Sequence, residues 1–527
     1  MSLQTILSLA IYVLPRRTAL YKREVLVVAL QVLAVALILS AATFLRVVEL
    51  GTVGYNSDEA VYAGQGAAIA QVPVLKDIFP VFRAHPLLFQ FVLAVVFTFD
   101  FGDWTGRLVA AMVGVATVLL VYRLSSELYG KRAGLIAALF MALMPYHVVV
   151  SRQVLLDGPM VFCTTLTLYM LARFGKAERR IDLVACGASL GLAFLSKEIS
   201  IILLGAVYAF LAVSPEIRVR PRDIVLSVAA MIIVMLPFPL SVRLAGGGGE
   251  SRTQQYLVWQ LFRRPNHTAD FYATVVPPAI GVLLIVVAVA GLWMLRHRIG
   301  WREKLLMLWI IVPIAFFQLW PTKGFQYLLP IAPPFAILAA RALVQWPARE
   351  LRWREWRVPK SAPGMALVAI IAVNLGSASW NIVHPAGLNS FLAGTGGVPG
   401  GREVGHWINE NVPQGAVFMT IGPSMANIIQ FYGHRKAYGL SVSPNPLRRN
   451  PSYEPIDNPD YQIRTSALQY VVWDAFSAER STFFSDRLLD YVRKYKGRVL
   501  HIESVTVQNA DGTSEEKPVI IIYAVYP

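Results

Sequence analysis

The segment Asn56–Ser57–Asp58–Glu59–Ala60 directly follows the first long apolar stretch of the chain and sets two adjacent carboxylates beside it. Charged groups are costly near hydrocarbon, so those kept next to a spanning segment are by default functional-site candidates. The same residues also suit a plain helix start, with Ser57 as N-cap and Asp58 and Glu59 in the first turn, where free N–H groups and the helix dipole favour carboxylates. Both readings can hold at once. Asp157, just before Gly158–Pro159, has the same double reading of helix cap and site carboxylate. Other polar groups flank apolar segments: Arg83 and His85 before Pro86, Arg152 after Ser151, the pair Lys197–Glu198, Lys323, and His267 and Tyr272 ahead of an apolar run at 273. Each has a plainer alternative. His85 caps a helix, Arg152 and Lys323 snorkel to an interface, and Lys197 pairs with Glu198 in a tight hairpin.

The elements that must position these residues are membrane helices. Of 527 residues, 56% are hydrophobic and only 15% charged, far more apolar side chain than a soluble core needs. The formal charge of +16 would suggest nucleic acid in a soluble protein, but the basic residues fall between apolar segments and read as topology signals, so nucleic acid is not expected as a partner. Cys163 and Cys186 are the two cysteines, both inside apolar stretches, which argues against a disulfide framework or a cysteine metal site. The N-terminal apolar run has no small-residue cleavage site after it and reads as a retained helix.

Apolar segments fall near 25–45, 107–123, 133–150, 158–173, 182–196, 199–213, 224–245, 273–295, 304–320, 325–345 and 364–383. Several need flanking residues to reach the roughly 20 that a span requires. Basic clusters at Arg16 to Arg23, Lys131–Arg132, Arg173 to Arg180, Arg218 to Arg222, Arg296 to Lys304 and Arg341 to Lys360 then lie on one side, the cytoplasmic one. The loops with Asp58–Glu59, Ser151 to Asp157, Gly246 to Tyr272 and Pro321 to Gln326 face outside. Counting residues 86–99 as a span would invert this order, and about 14 residues suit an interfacial or re-entrant helix better. The expectation is about eleven crossings in residues 1–390, N-terminus inside, with a first external loop of 46–106 holding juxtamembrane helices. Past the glycine-rich stretch Gly394 to Gly401, amphipathic helix signals alternate with short apolar strands such as Val417 to Ile421, Tyr470 to Trp473 and Val519 to Tyr523. Residues 391–527 therefore read as a small external α/β domain, without a phosphate loop or catalytic triad signature.

Several segments occur together in an order that resembles a known family: Asp58–Glu59 after the first helix, Arg83–Ala84–His85–Pro86–Leu87, Ser151–Arg152 followed by Asp157, Leu195–Ser196–Lys197–Glu198, and Lys323 to Pro330 (KGFQYLLP). Over roughly residues 20–385 the chain is similar to the polytopic GT-C glycosyltransferases, in particular family 39, the protein O-mannosyltransferases and the aminoarabinose-transferase group. Leu87 stands where that family often has a second proline, and Ala84 where it often has an acidic residue. The motif of oligosaccharyltransferases is missing; Val472–Trp473–Asp474 is only superficially like it.

The resemblance implies transfer of one sugar from a polyprenyl-phosphate donor to a lipid, glycan or protein acceptor at the outer face of the plasma membrane. An acceptor hydroxyl is a poor nucleophile at neutral pH, and Asp58 is the expected base, with Glu59 and Asp157 beside it. The leaving group is an anionic lipid phosphate, stabilised by fixed cations rather than by a proton donor. Arg83, His85, Arg152 and Lys323 are the expected cations, with Lys197, His267, Tyr272 and Tyr327 as further donor or acceptor contacts. One displacement with one base inverts the anomeric centre. No cofactor is indicated; a divalent cation is compatible with such chemistry but not called for by the sequence, since Ala84 removes the carboxylate a metal would use there. A transporter or flippase of lipid-linked sugars is the competing class, and it should carry mid-helix charges and repeat symmetry, of which the sequence has little.

Overall fold

The structure is a computed structural model and describes residues 3–81, 85–244, 258–263, 265–345, 352–353, 356–357, 362–384, 397–445, 448–450, 453–508 and 513–527. Each of the eleven apolar segments falls on a helix or on consecutive helical pieces. Among the described residues, five stretches are by themselves long and apolar enough to cross a membrane: Val25–Val47, Asp103–Tyr129, Pro221–Ser241, Phe325–Gln345 and Ala362–Val383. Two bent pairs raise the number to seven. The segment at 86–99 forms only the ten-residue helix Leu88–Phe97, too short to span. The glycine-rich stretch 246–249 and most of the linker before 397 lie outside the described residues.

Local sequence accounts for the breaks. Lys131–Leu143 and Pro145–Ser151 meet at 60° because Met144, held extended ahead of a proline, cannot continue the helix. Phe271–Ile280 and Val282–Met294 meet at 92° around Gly281, whose φ of 104° suits glycine alone. Where helices touch closely, small residues let backbones approach. A side chain at Gly187 would run into the Ser227 carbonyl, and one at Gly191 would come within 2.8 Å of the Met231 carbonyl, so helices Arg180–Ser196 and Pro221–Met235 pack backbone to backbone. The first helix instead turns bare Leu26, Val32 and Leu37 outward, as a lipid-facing surface would.

The C-terminal unit carries a five-stranded sheet in the order Lys436–Gly439, Val417–Thr420, Tyr470–Asp474, Ser514–Ala524, Arg498–Gln508. The first three strands are parallel and the last two antiparallel. Phe418, Met419 and Thr420 are all buried, as expected of a strand covered on both faces. Helix Pro423–Tyr432, which follows this central strand, lies against helix Ser57–Ile69. A seam of specific contacts fixes that packing. The Tyr432 hydroxyl accepts from Tyr55 N (2.9 Å) and donates to Asp103 (2.9 Å), Asn427 donates to Ser57 Oγ (2.9 Å), and Arg402 donates to the carbonyls of Gly51 and Thr52. The C-terminal unit thus bears, through its helix Pro423–Tyr432, directly on the helix that carries Asp58.

Candidate active site

The helix Ser57–Ile69 begins with a full capping box, one residue earlier than the sequence reading placed the cap. Asn56 Oδ1 accepts from the backbone N–H groups of Asp58 (2.9 Å) and Glu59 (3.0 Å), and Glu59 returns the bond by accepting from Asn56 N (3.1 Å). Asn56 has the amide that does both jobs: its Nδ2 donates to Gln153 Oε1 at 2.8 Å, tying the helix start to the 151–157 loop. Successive helix positions point about 100° apart, so the two carboxylates enter different surroundings.

Glu59 is fully buried and fully occupied. Its Oε1 accepts from Arg107 Nε (2.8 Å) and Val154 N (3.0 Å), and its Oε2 from Arg107 Nη2 (2.7 Å) besides Asn56 N. The remaining Arg107 donors go to the carbonyls of Leu50, Val53 and Gly54. The pair therefore ties the segment 50–59 to the first turns of helix Asp103–Tyr129, and Glu59 has no lone pair directed at a cavity.

Asp58 faces the opposite way, into a cavity of about 120 Å³ shared with Tyr62, Gln65, His85, Lys197, Glu198 and Tyr327. Its carboxylate accepts no hydrogen bond among the described residues, whereas the groups around it are paired. Lys197 Nζ donates to both Asp157 oxygens, at 2.9 and 2.8 Å, and sits 5.1 Å from the centre of the Tyr327 ring. His85 Nδ1 lies 2.9 Å from Glu198 Oε2. The expected Lys197–Glu198 pair does not form. Lys197 is extended at the end of helix Arg180–Ser196, so neighbouring side chains point apart and each finds a distant partner. Asp157, at the first position of helix Asp157–Ala177, makes no cap bond and holds Lys197 instead. Burial pushes the Asp58 carboxyl above the usual carboxylate range, while Lys197 and His85 pull it back down. Glu198 Oε1 is buried with no partner among the described residues, leaving an acceptor on the cavity wall.

The other expected site residues are placed elsewhere. Arg152 donates to the carbonyls of Leu45, Val48 and Glu49, at the C-terminal end of the first helix, where a cation suits the dipole. Lys323 Nζ donates to the carbonyls of Gln318 and Trp320 and lies 5.8 Å from the Tyr272 ring centre; it does not line the Asp58 cavity. Tyr272 accepts from Gly324 N at 3.2 Å, and His267 stacks on Phe271 at 3.9 Å. Partial burial, with Lys323 and Arg263 nearby, lowers the His267 imidazole below its usual range. Arg83 lies outside the described residues. Among the described residues, no three His, Cys, Asp or Glu side chains gather in a way that could hold a metal ion.

Sequence reasoning passed over several groups that build the site. Arg107 and Gln153 hold the start of the Asp58 helix; Gln65 lines the cavity; and Arg46, buried in the first helix, donates to Ser151 Oγ (2.9 Å) and meets His147 Nδ1 (2.7 Å). A charged residue inside an apolar run was the available signal for Arg46 and Arg107.

Three similarities to known proteins agree with this architecture. Residues 84–242 match the family model described as dolichyl-phosphate-mannose-protein mannosyltransferase. The chain is 29% identical over 168 residues to the putative mannosyltransferase YycA of Bacillus subtilis (31% of this chain, 24% of that protein). It is also 29% identical over 265 residues to the undecaprenyl phosphate-alpha-4-amino-4-deoxy-L-arabinose arabinosyl transferase of Pseudomonas aeruginosa (46% of each chain). The match thus spans between about a quarter and a half of the length of these curated relatives. The fold is similar to that of ArnT from Cupriavidus metallidurans, with TM-scores of 0.68 for the apo state (16% identity) and 0.65 for the state bound to undecaprenyl phosphate (15% identity). Both alignments cover 93% of this chain and 97% of the other.

Proposed function

We propose that this multi-pass chain, which has the GT-C fold, is an inverting glycosyltransferase that moves a single sugar from a polyprenyl-phosphate donor to an acceptor nucleophile on the outer face of the plasma membrane. The observation that carries the reading is the cavity in which Asp58, a carboxylate without a hydrogen-bond partner among the described residues, faces the Lys197–Asp157 and His85–Glu198 pairs. The distribution of basic clusters supports the outer side for that cavity. A relative named for an undecaprenyl phosphate-linked sugar, and a solved structure of the same fold holding undecaprenyl phosphate, support a polyprenyl-phosphate donor.

In this mechanism Asp58 takes the proton of the acceptor hydroxyl as its oxygen attacks the anomeric carbon. The carbon–oxygen bond to the lipid phosphate breaks, its electron pair leaves with the phosphate, and the anomeric centre inverts. Lys197 spends two of its three donors on Asp157, which aims the third at the cavity, where it and His85 meet the developing phosphate charge. Glu198 Oε1 accepts a sugar hydroxyl. Asp157 and Glu59 are positioning residues, the first for Lys197 and the second for the Asp58 helix. The test is release of lipid phosphate from a panel of undecaprenyl- and dolichyl-phosphate sugars by the purified full chain. Asp58→Asn should keep donor binding and lose about 100-fold or more in turnover. Turnover near wild type in a correctly inserted Asp58→Asn protein removes Asp58 from the chemistry.

A further inference from the structure

A second cleft, of about 270 Å³, lies between the first external loop and the C-terminal sheet. One wall is the turn Lys76 to Val81; the other is the edge strand Lys436–Gly439 along its whole length, with the face of helix Pro423–Tyr432 that carries Pro423, Ala426, Asn427 and Gln430. The cleft adjoins the Asp58 cavity. Tyr453 lines both, and the partition between them is the hydrogen bond from Gln65, which faces the Asp58 cavity, to the carbonyl of Pro80, which faces the cleft. The turn is held in place because Phe79 packs against the bare face of Gly64 on the Asp58 helix, where a Cβ would overlap its ring.

The lining chemistry narrows the occupant. Two cations, Lys76 and Lys436, are balanced by Asp77 and Glu454, so the cleft does not select a phosphate or a lipid headgroup by charge. Its other groups are the rings and hydroxyls of Tyr438 and Tyr453 and the amides of Asn427 and Gln430. Flat rings together with acceptors and donors of both kinds suit the apolar face and the hydroxyl rim of a sugar. Burial, with Glu454 nearby, raises the Tyr438 hydroxyl above its usual range, which keeps it a proton-bearing donor throughout the physiological range. Resting on the glycosyltransferase reading above, we infer that this cleft is a saccharide subsite that holds the glycan part of the acceptor and delivers its hydroxyl past Tyr453 to Asp58.

The experiment measures saccharide contact by saturation-transfer NMR on the solubilised full chain, with methyl mannoside, cellobiose and N-acetylglucosamine as probes and inorganic phosphate as the control anion. At least one saccharide should give a signal that falls severalfold in Glu454→Gln and in Tyr438→Ala, while phosphate gives none that depends on these residues. Glu454 is exposed, so its substitution should leave folding intact even if Tyr438→Ala does not. Cleavage of polyprenyl-phosphate sugars is measured on the same samples. Both variants should keep donor hydrolysis and lose transfer to the saccharide that binds. Donor cleavage without any saccharide contact, saccharide contact unchanged in Glu454→Gln, or contact by phosphate alone overturns the subsite and leaves the enzyme reading standing. Saccharide contact without cleavage of any donor overturns the enzyme reading, and the acceptor role with it.

Discussion

Glu59→Gln separates holding from chemistry, because the structure gives the two adjacent carboxylates different surroundings and the proposed mechanism gives them different tasks. Four N–H donors converge on Glu59, two on each oxygen. Glutamine keeps the shape but turns one oxygen into an NH₂ group, so on that side two buried donors face a third donor. Leaving each without a partner costs about 1–3 kcal/mol. Removing the negative charge also leaves the Arg107 guanidinium, almost wholly buried, without its counter-ion. Breaking one partner of a buried ion pair costs about 3–5 kcal/mol, and the two figures describe the same loss from two directions. The expected result is a much lower thermal midpoint for the detergent-solubilised chain and poor recovery. The folded fraction should still turn over donor at a rate within about tenfold of wild type, since Asp58 and its cavity lie on the other face of the helix. Thermal midpoint and turnover per folded molecule, measured on the same preparation, decide the matter. A Glu59→Gln protein of unchanged stability that has lost a hundredfold in turnover would make Glu59 a reacting group and refute the division of labour.

Three further outcomes are expected. Because burial raises the Asp58 pKa and the base must be ionised, kcat/KM should fall as pH drops through a pKa above the ~3.9 of a free aspartate; an acid limb at or below that value contradicts the assignment. Lys323→Ala should remove a helix-end contact at a cost of about 0.3–1 kcal/mol and leave the dependence of rate on donor concentration unchanged, whereas a raised donor KM would put Lys323 on the phosphate. In the C-terminal sheet, burial raises Asp474 from 3.8 to about 6, so the folded chain holds this proton more tightly than the unfolded one. Its contribution to stability is full below pH 4 and is lost as pH rises through 6, about 3 kcal/mol in all, from some two units at about 1.4 each. Asp474→Asn, which keeps an acceptor for Ser477 N, should therefore raise the thermal midpoint at pH 7.5 and flatten its rise between pH 7.5 and 4.5; an unchanged pH profile contradicts it.

The sequence displayed what depends on neighbours along the chain. The apolar runs and the short helix at 88–97 follow from composition and spacing and fall on helices at those positions, and the helix start at 56–59 is present with its cap at Asn56 rather than Ser57. Pairing across the fold was not legible. Lys197 and Glu198 are adjacent in sequence yet bind Asp157 and His85, respectively 40 and 113 residues away, because extended backbone turns their side chains apart. Arg152 and Lys323 carry the charge that a phosphate site needs, but helix-end carbonyls compete for the same donors, and those carbonyls can be counted only once the helices have been placed. The seam through Tyr55, Asp103 and Tyr432 joins residues up to 377 apart and has no local signature at all.

The Glu59–Arg107 tie has a consequence for how such a chain can diversify. It fastens together two points 48 residues apart, and Arg107 also grips the carbonyls just ahead of the Asp58 helix. Everything between the fastenings is a ring whose ends are already closed, and doubling the length of a flexible closed loop costs only about 0.6 kcal/mol more. Phe79 on Gly64 and the Gln65–Pro80 bond pin one side of the turn at 76–81 to the Asp58 helix, so its remaining positions, 76–78 and 81, can be rewritten while the carboxylate at 58 stays put. A catalyst built this way can change what it decorates without rebuilding how it reacts.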